Sequence, residues 1–235
     1  MKKIFLIIIF IGVIFTISGC NTKNEIIDAL KFKEEYESLN GTTNEKNNKT
    51  FRTINIKDNN PFIYKEASDI VDMINNKETF IVYFGFAECP WCRSVIPTLI
   101  DVASDLEVDK IYYVDIKNIR DTLGLDNNLN VITKVKGTND YYALLELLKE
   151  ILDDYNLIDE NGNAIATGEK RIYAPSIISI INGEAKKLET GISDKQTDGN
   201  MELTEEMKND TYNKFKTIIE YTLKNNTTCS ISSKC

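Results

Sequence analysis

The run TFIVYF, residues 79–84, is the feature that most constrains the fold of this chain. Its apolar residues are continuous rather than alternating, so a strand built from it buries both faces and belongs inside a sheet covered by helices on either side. The neighbouring punctuation agrees. FRTINI (51–56) alternates like a strand, YKEASDIVDMINN (64–76) has helical spacing through Ile70, Val71 and Ile74, and KIYYVDI (110–116) reads as a further strand. YYALLELLKEIL is an amphipathic helix with Tyr141, Leu144, Leu145, Leu148, Ile151 and Leu152 on one side. SIISII and AKKLETG flank Asn182-Gly183, a pair that supplies the positive φ angles of a tight hairpin turn. A last helix, from about Thr204 to Leu223, turns Phe215, Ile218, Ile219 and Leu223 inward. The order β-α-β-α-β-α-β-β-α predicts an α/β sheet covered on both faces.

Directly after the buried strand come Glu88, the motif CPWC (89–92) and Arg93, opening a helix whose face carries Val95, Leu99, Val102 and Leu106. Two cysteines at i and i+3 on a first helical turn share a face, close enough for their sulfurs to bond. Cys89 sits at the helix N-terminus, where free backbone N–H groups and the helix dipole favour a thiolate, so it is the expected nucleophile. Cys92, one turn further in, is the expected resolving thiol. Two other readings stand beside this one. A zinc site would have to recruit Cys229 and Cys235 or carboxylates, because the chain contains no histidine. A structural disulfide between Cys89 and Cys92 would close a loop too short to restrict the unfolded chain much.

The ends of the chain bear on compartment. MKKIFLIIIFIGVIFTISGC has a basic start at Lys2 and Lys3, an apolar run from Ile4 to Ile17, and small residues before Cys20, which is the layout of an export signal over residues 1–19. The apolar run is short for a retained span. ISGC resembles a bacterial lipobox, which implies a diacylglycerol group on Cys20 and a lipid-anchored protein on the outer face of the cytoplasmic membrane. Residues 20–50, with NGTTNEKNNKT, read as a polar tether in which IIDALKFKEEYESL forms a short helix, and residues 51–235 as the folded domain with its tail. With 28 basic against 36 acidic side chains the formal charge is −8, which disfavours nucleic acid and leaves membrane attachment to acyl chains rather than a basic patch. Outside the cytosol both remaining cysteine pairs can be oxidised. Cys229 and Cys235 read as a structural disulfide pinning the tail, with a second redox pair or two free thiols as the other readings.

CPWC after an apolar strand, Pro97 five residues beyond Cys92, Pro175 in YAPS, the Asn182-Gly183 turn and Gly191 together resemble the thioredoxin fold over residues 51–224. More closely they resemble the thioredoxin-like lipoproteins of Gram-positive bacteria, a group that includes bacteriocin transport accessory proteins. The resemblance implies a central mixed sheet of about five strands flanked by helices on both faces, and a helix kinked at Pro97. It makes Pro175 a cis-proline facing the dithiol, with the backbone of Ala174 open to an extended substrate segment; the plain alternative is a trans proline at a strand start. The segment DENGNAIATGEKRIY reads as a hairpin near that site.

The sequence departs from thioredoxin itself where a buried aspartate and a lysine serve the second cysteine; those places hold Tyr83 and Tyr113. Glu88 would raise a neighbouring thiol pKa and Arg93 lower it, unless both are solvated surface charges; Glu88 is the candidate proton-transfer group. Pro90 and Trp91 offer a flat surface for a protein substrate, or simply begin the helix. The expectation is an extracytoplasmic thiol–disulfide oxidoreductase acting on cysteine-containing exported proteins, recharged by a further redox partner and needing no cofactor, since the electrons reside on the sulfurs. The alternatives are an accessory or binding subunit of a peptide exporter, and a dedicated reductant for cytochrome c maturation.

Overall fold

Phe32 and Tyr36, four apart in a segment crowded with charge, are both fully buried. They belong to α1 (Gly19–Glu37), whose inward stripe of Ala29, Phe32 and Tyr36 follows helical spacing. The structure, a computed structural model, describes residues 19–45 and 48–226, with side chains of α1 from Asn24 onward. The apolar leader through Ser18, and Cys229 and Cys235, lie outside the described residues.

The docking of α1 corrects the expectation of a tether over residues 20–50. Phe32 stacks on Phe62 with ring centroids 4.0 Å apart, and Tyr36 stacks on Phe32 at 4.5 Å, so the helix continues the core. FRTINI is corrected too. It is extended and buries Phe51, Ile54 and Ile56, yet it joins no sheet. Its backbone groups are met by side chains from the end of α1 and the turn beyond: Ile54 exchanges two hydrogen bonds with the Asn40 amide, and Ile56 N–H donates to Glu37 Oε1 at 2.7 Å.

The chain continues through β1 (Phe62–Tyr64), α2 (Ala67–Asn75), β2 (Phe80–Gly85), α3 (Pro90–Asp105) and β3 (Ile111–Asp115). Two hairpins follow on either side of a helix: β4 (Thr122–Leu125) with β5 (Val131–Val135), α4 (Asn139–Leu148), then β6 (Asp154–Ile158) with β7 (Ala164–Lys170). DENGNAIATGEKRIY supplies only the turn and second strand of the second hairpin, whose first strand β6 precedes that segment; the first hairpin was not foreseen. β8 (Ser176–Ile181), β9 (Glu184–Glu189) and α5 (Glu205–Asn225) complete the fold.

The result is a mixed α/β architecture around a five-stranded sheet of order β1-β3-β2-β8-β9. β1 and β2 run parallel to β3, whereas β8 runs antiparallel to β2 and β9 to β8. Every residue of β2 and of β8 is buried, as the continuous apolar runs require. Cover comes from helices that pack in pairs, α3 with α5 and α2 with α4, while α1 lies along the edge strand β1. The hairpin turn uses Asn182 at φ 51° and Gly183 at φ 73°. A Cβ on Gly183 would sit 2.2 Å from the Ile74 carbonyl oxygen, so glycine is required there for space as well as conformation. No described helix is long and apolar enough to cross a membrane.

Candidate active site

β2 ends at Gly85 and a short turn delivers Cys89 to the N-cap of α3, with Pro90 in the first helical position. An N-cap group takes up N–H donors that the first turn leaves free, and here the capping atom is sulfur: Cys92 N–H donates to Cys89 Sγ at 3.4 Å. The Cys89 thiol in turn donates to the Ala174 carbonyl at 3.3 Å. The Ala174–Pro175 peptide is cis, and it brings the segment before β8 against the motif. Cys89 and Cys92 are both free and buried, the first 5% exposed and the second fully enclosed.

The two thiols differ in acidity. Cys89 is held below the ordinary thiol pKa, first by the Cys92 thiol facing it, then, against the opposing cost of burial, by the N–H groups of Cys92 and Trp91 and the charge of Arg120. Cys92 is pushed well up, chiefly by burial and then by Cys89. A nucleophile at the helix end and a protonated partner behind it is a working arrangement for stepwise exchange.

The structure redistributes the charges expected around the motif. Arg93 is fully buried, and its guanidinium donates to the carbonyls of Tyr36 (2.7 Å), Arg52 (2.6 and 3.0 Å) and Ala87 (3.3 Å) and to Asn40 Oδ1 (2.6 Å). It clamps α1 and the segment after it onto α3, and it is not among the leading groups that tune Cys89. Glu88 turns to an ion pair with Lys117 on the half-exposed rim. The cation that reaches the thiols is Arg120, stacked 5.1 Å over Phe86, a residue the sequence reading passed over because it stands 28 residues beyond Cys92 and its arrival depends on the chain path after β3. A cavity of about 620 Å³ beside the motif is lined by Phe51, Phe86, Glu88, Lys117, Arg120 and Arg171 among others.

The loop between β9 and α5 also closes on the motif. Gln196 donates to Ser94 Oγ at 3.0 Å, and a Cβ on Gly199 would lie 2.9 Å from both Pro90 Cβ and Trp91 N. Pro90 and Trp91 are thereby half-buried beneath backbone rather than fully presented. Gly191 at the start of this loop meets the ring of Phe215 at 2.0 Å from its Cβ position, which ties the loop to α5.

Behind Cys92 lies a cluster of tyrosines. Tyr83 of β2 and Tyr113 of β3 are register partners with rings stacked at 6.2 Å, and Tyr36 of α1 meets Tyr113 edge-on at 6.4 Å. Gly85 leaves the opening through which Tyr83 approaches the thiol: the empty Cβ position is 3.1 Å from Cys92 Sγ and 3.2 Å from Tyr83 Cζ. Tyr113 Oη donates to Glu35 Oε1 at 3.3 Å, and Tyr64 Oη donates to the other oxygen of the same carboxylate. Sequence reading placed Tyr83 and Tyr113 but not Tyr36 or Glu35, which arrive on α1.

Neither a model of a known protein family nor the sequence of a curated protein matches the chain.

Proposed function

We propose that this is a thioredoxin-like thiol–disulfide oxidoreductase, anchored by lipid at Cys20 outside the cytoplasmic membrane and acting on exported proteins through Cys89 and Cys92. The observation that carries the reading is the pair itself: two free thiols one turn apart, the outer one capping a helix and made more acidic, the inner one enclosed and made less so. The strand order of the sheet and the place of Pro175 beside Cys89 are compatible with the fold proposed. The export and anchoring part rests on the leader and the ISGC sequence.

In the reducing direction the Cys89 thiolate attacks one sulfur of a substrate disulfide. A Cys89–substrate disulfide forms and the other substrate sulfur leaves as a thiolate. Cys92 gives up its proton and attacks Cys89 Sγ; the mixed disulfide breaks, the second substrate sulfur leaves as a thiolate, and Cys89–Cys92 closes. Two electrons pass from the enzyme dithiol to the substrate, and a second dithiol partner must return them. The reverse sequence donates the disulfide. Ala174, whose carbonyl already accepts from Cys89, supplies the backbone against which an extended cysteine-bearing segment pairs, and half-exposed Tyr173 lies next to it.

Reduction of insulin by dithiothreitol-recharged protein tests the reading. Wild type turns over and Cys89→Ser does not. Turnover that survives in Cys89→Ser contradicts the proposal and favours an accessory or binding role.

A further inference from the structure

Arg120 is half-buried, and among the described residues its guanidinium forms no ion pair and no hydrogen bond; it rests over the ring of Phe86, 5.1 Å from the centroid. A cation that has lost part of its water is usually paired, because desolvation without a partner costs free energy. The cations around it are paired. Arg171 is buried and donates to Asp121 Oδ1 and, at 3.0 Å, to the Asp121 carbonyl, and Lys117 is joined to Glu88. Asp121, next in the chain, is thus spent on Arg171, and Arg120 lines the cavity of about 620 Å³ with its charge unmet.

That cavity adjoins the reactive sulfur. Its lining includes Glu88, the residue before Cys89, and Phe86, whose carbonyl accepts from the Cys89 N–H at 3.1 Å. Leu39, Phe51 and Phe86 supply apolar wall, while Glu45, the other carboxylate of the lining, is exposed to water. The chain as a whole carries a formal charge of −8, so an unmet cation in a recess beside the thiols runs against the background charge.

We propose that Arg120 and this cavity form a subsite for a carboxylate of the substrate, so that the protein acts preferentially on cysteines flanked by aspartate or glutamate. The proposal rests on the oxidoreductase reading above and deepens it by naming the substrate class. A guanidinium presents two parallel N–H donors that match the two oxygens of a carboxylate, and an aromatic ring beneath it supports its plane. Half out of water, such a pair counts for more than one on an open surface. The charge of Arg120 also favours the Cys89 thiolate, an effect that is the same for every substrate, so discrimination between substrates is what reports the subsite.

The test uses the full chain, reduced, and three small disulfides of similar shape: dithiodipropionate, with a carboxylate on each arm, hydroxyethyl disulfide, which is neutral, and cystamine, with an ammonium on each arm. Each takes two electrons from the dithiol, closes Cys89–Cys92 and leaves as two thiols, and quenched alkylation counts the free cysteines that remain. In Arg120→Gln all three rates fall through the effect on Cys89, but the rate with dithiodipropionate falls about fivefold or more beyond that with hydroxyethyl disulfide, and the rate with cystamine falls least. Arg120→Lys keeps the charge without the planar pair of donors; it restores alkylation of Cys89 yet leaves most of the preference lost, and it provides a second route to the answer should Arg120→Gln fail to fold. Equal losses with all three disulfides in Arg120→Gln, or a wild-type preference in Arg120→Lys, overturn the subsite while leaving the oxidoreductase reading intact. A wild-type protein that none of the three oxidises overturns that reading and the subsite with it.

Discussion

Cys89 and Cys92 carry the same side chain one helical turn apart, yet they face different media. Cys89 meets backbone: it accepts from one N–H, donates to the Ala174 carbonyl, and feels Arg120 from the chain beyond β3. Cys92 meets side chains: the Cys89 thiol and Tyr83, with Gly85 making room for the Tyr83 ring. The facing Cys92 thiol and the helix N-cap account for the acidic thiol, whereas enclosure in the core, with Tyr83 of β2 beside it, sets the other. The motif spells out the first environment and says nothing of the second.

The comparison breaks most severely at Arg93, which joins the two sides. Its guanidinium serves four acceptors at once, so Arg93→Ala leaves buried carbonyls of Tyr36 and Arg52 unmet and is expected to cost about 3 kcal/mol or more in urea unfolding. A loss under about 1 kcal/mol would show that α1 is not clamped as described. Next comes Gly85→Ala. Its methyl meets Tyr83 Cε1 at 2.6 Å and Cys92 Sγ at 3.1 Å, so the ring must move; about 1–3 kcal/mol of stability goes, and the Cys92 side suffers while Cys89 still alkylates as in wild type. Arg120→Gln works on the opposite side. It raises the Cys89 pKa by removing a favourable charge, and lowers iodoacetamide alkylation near neutral pH by about two- to fivefold, less in high salt. The smallest effect belongs to Glu88→Gln, whose carboxylate is occupied by Lys117 in an exposed pair: a change in Cys89 alkylation beyond about twofold would restore Glu88 to the proton-transfer role that its place in the sequence suggests.

What could be read in the sequence follows the same division. TFIVYF, SIISII and the Asn182-Gly183 turn each carry their own instruction, and the sheet they form needed no distant information. CPWC likewise implies its cap and dipole. FRTINI misled because alternation reports burial on one side, which is present, and not who supplies the hydrogen bonds, which here are Asn40 and Glu37. Segment 20–50 misled because average polarity hid three apolar positions, Ala29, Phe32 and Tyr36, at helical spacing. Arg93 read equally well as a solvated charge, because an arginine that ends among carbonyls has no local signature. The β4–β5 hairpin was missed since VITKV is mostly exposed and its pattern carries little burial signal. Glu35 sits in KEEYE, indistinguishable there from its exposed neighbour Glu34, and only the packing of α1 selects it.

One turn of helix holds an acidic thiol at its cap and a reluctant one behind it. The most direct measurement is the alkylation rate of each cysteine in the reduced protein as a function of pH, resolved by peptide mass spectrometry. Cys89 is a thiol of depressed pKa, so its rate should level off below the ordinary thiol value of about 8.5, while Cys92 should still be climbing above it. Two cysteines titrating together near about 8.5, or Cys92 reacting first, would contradict the account.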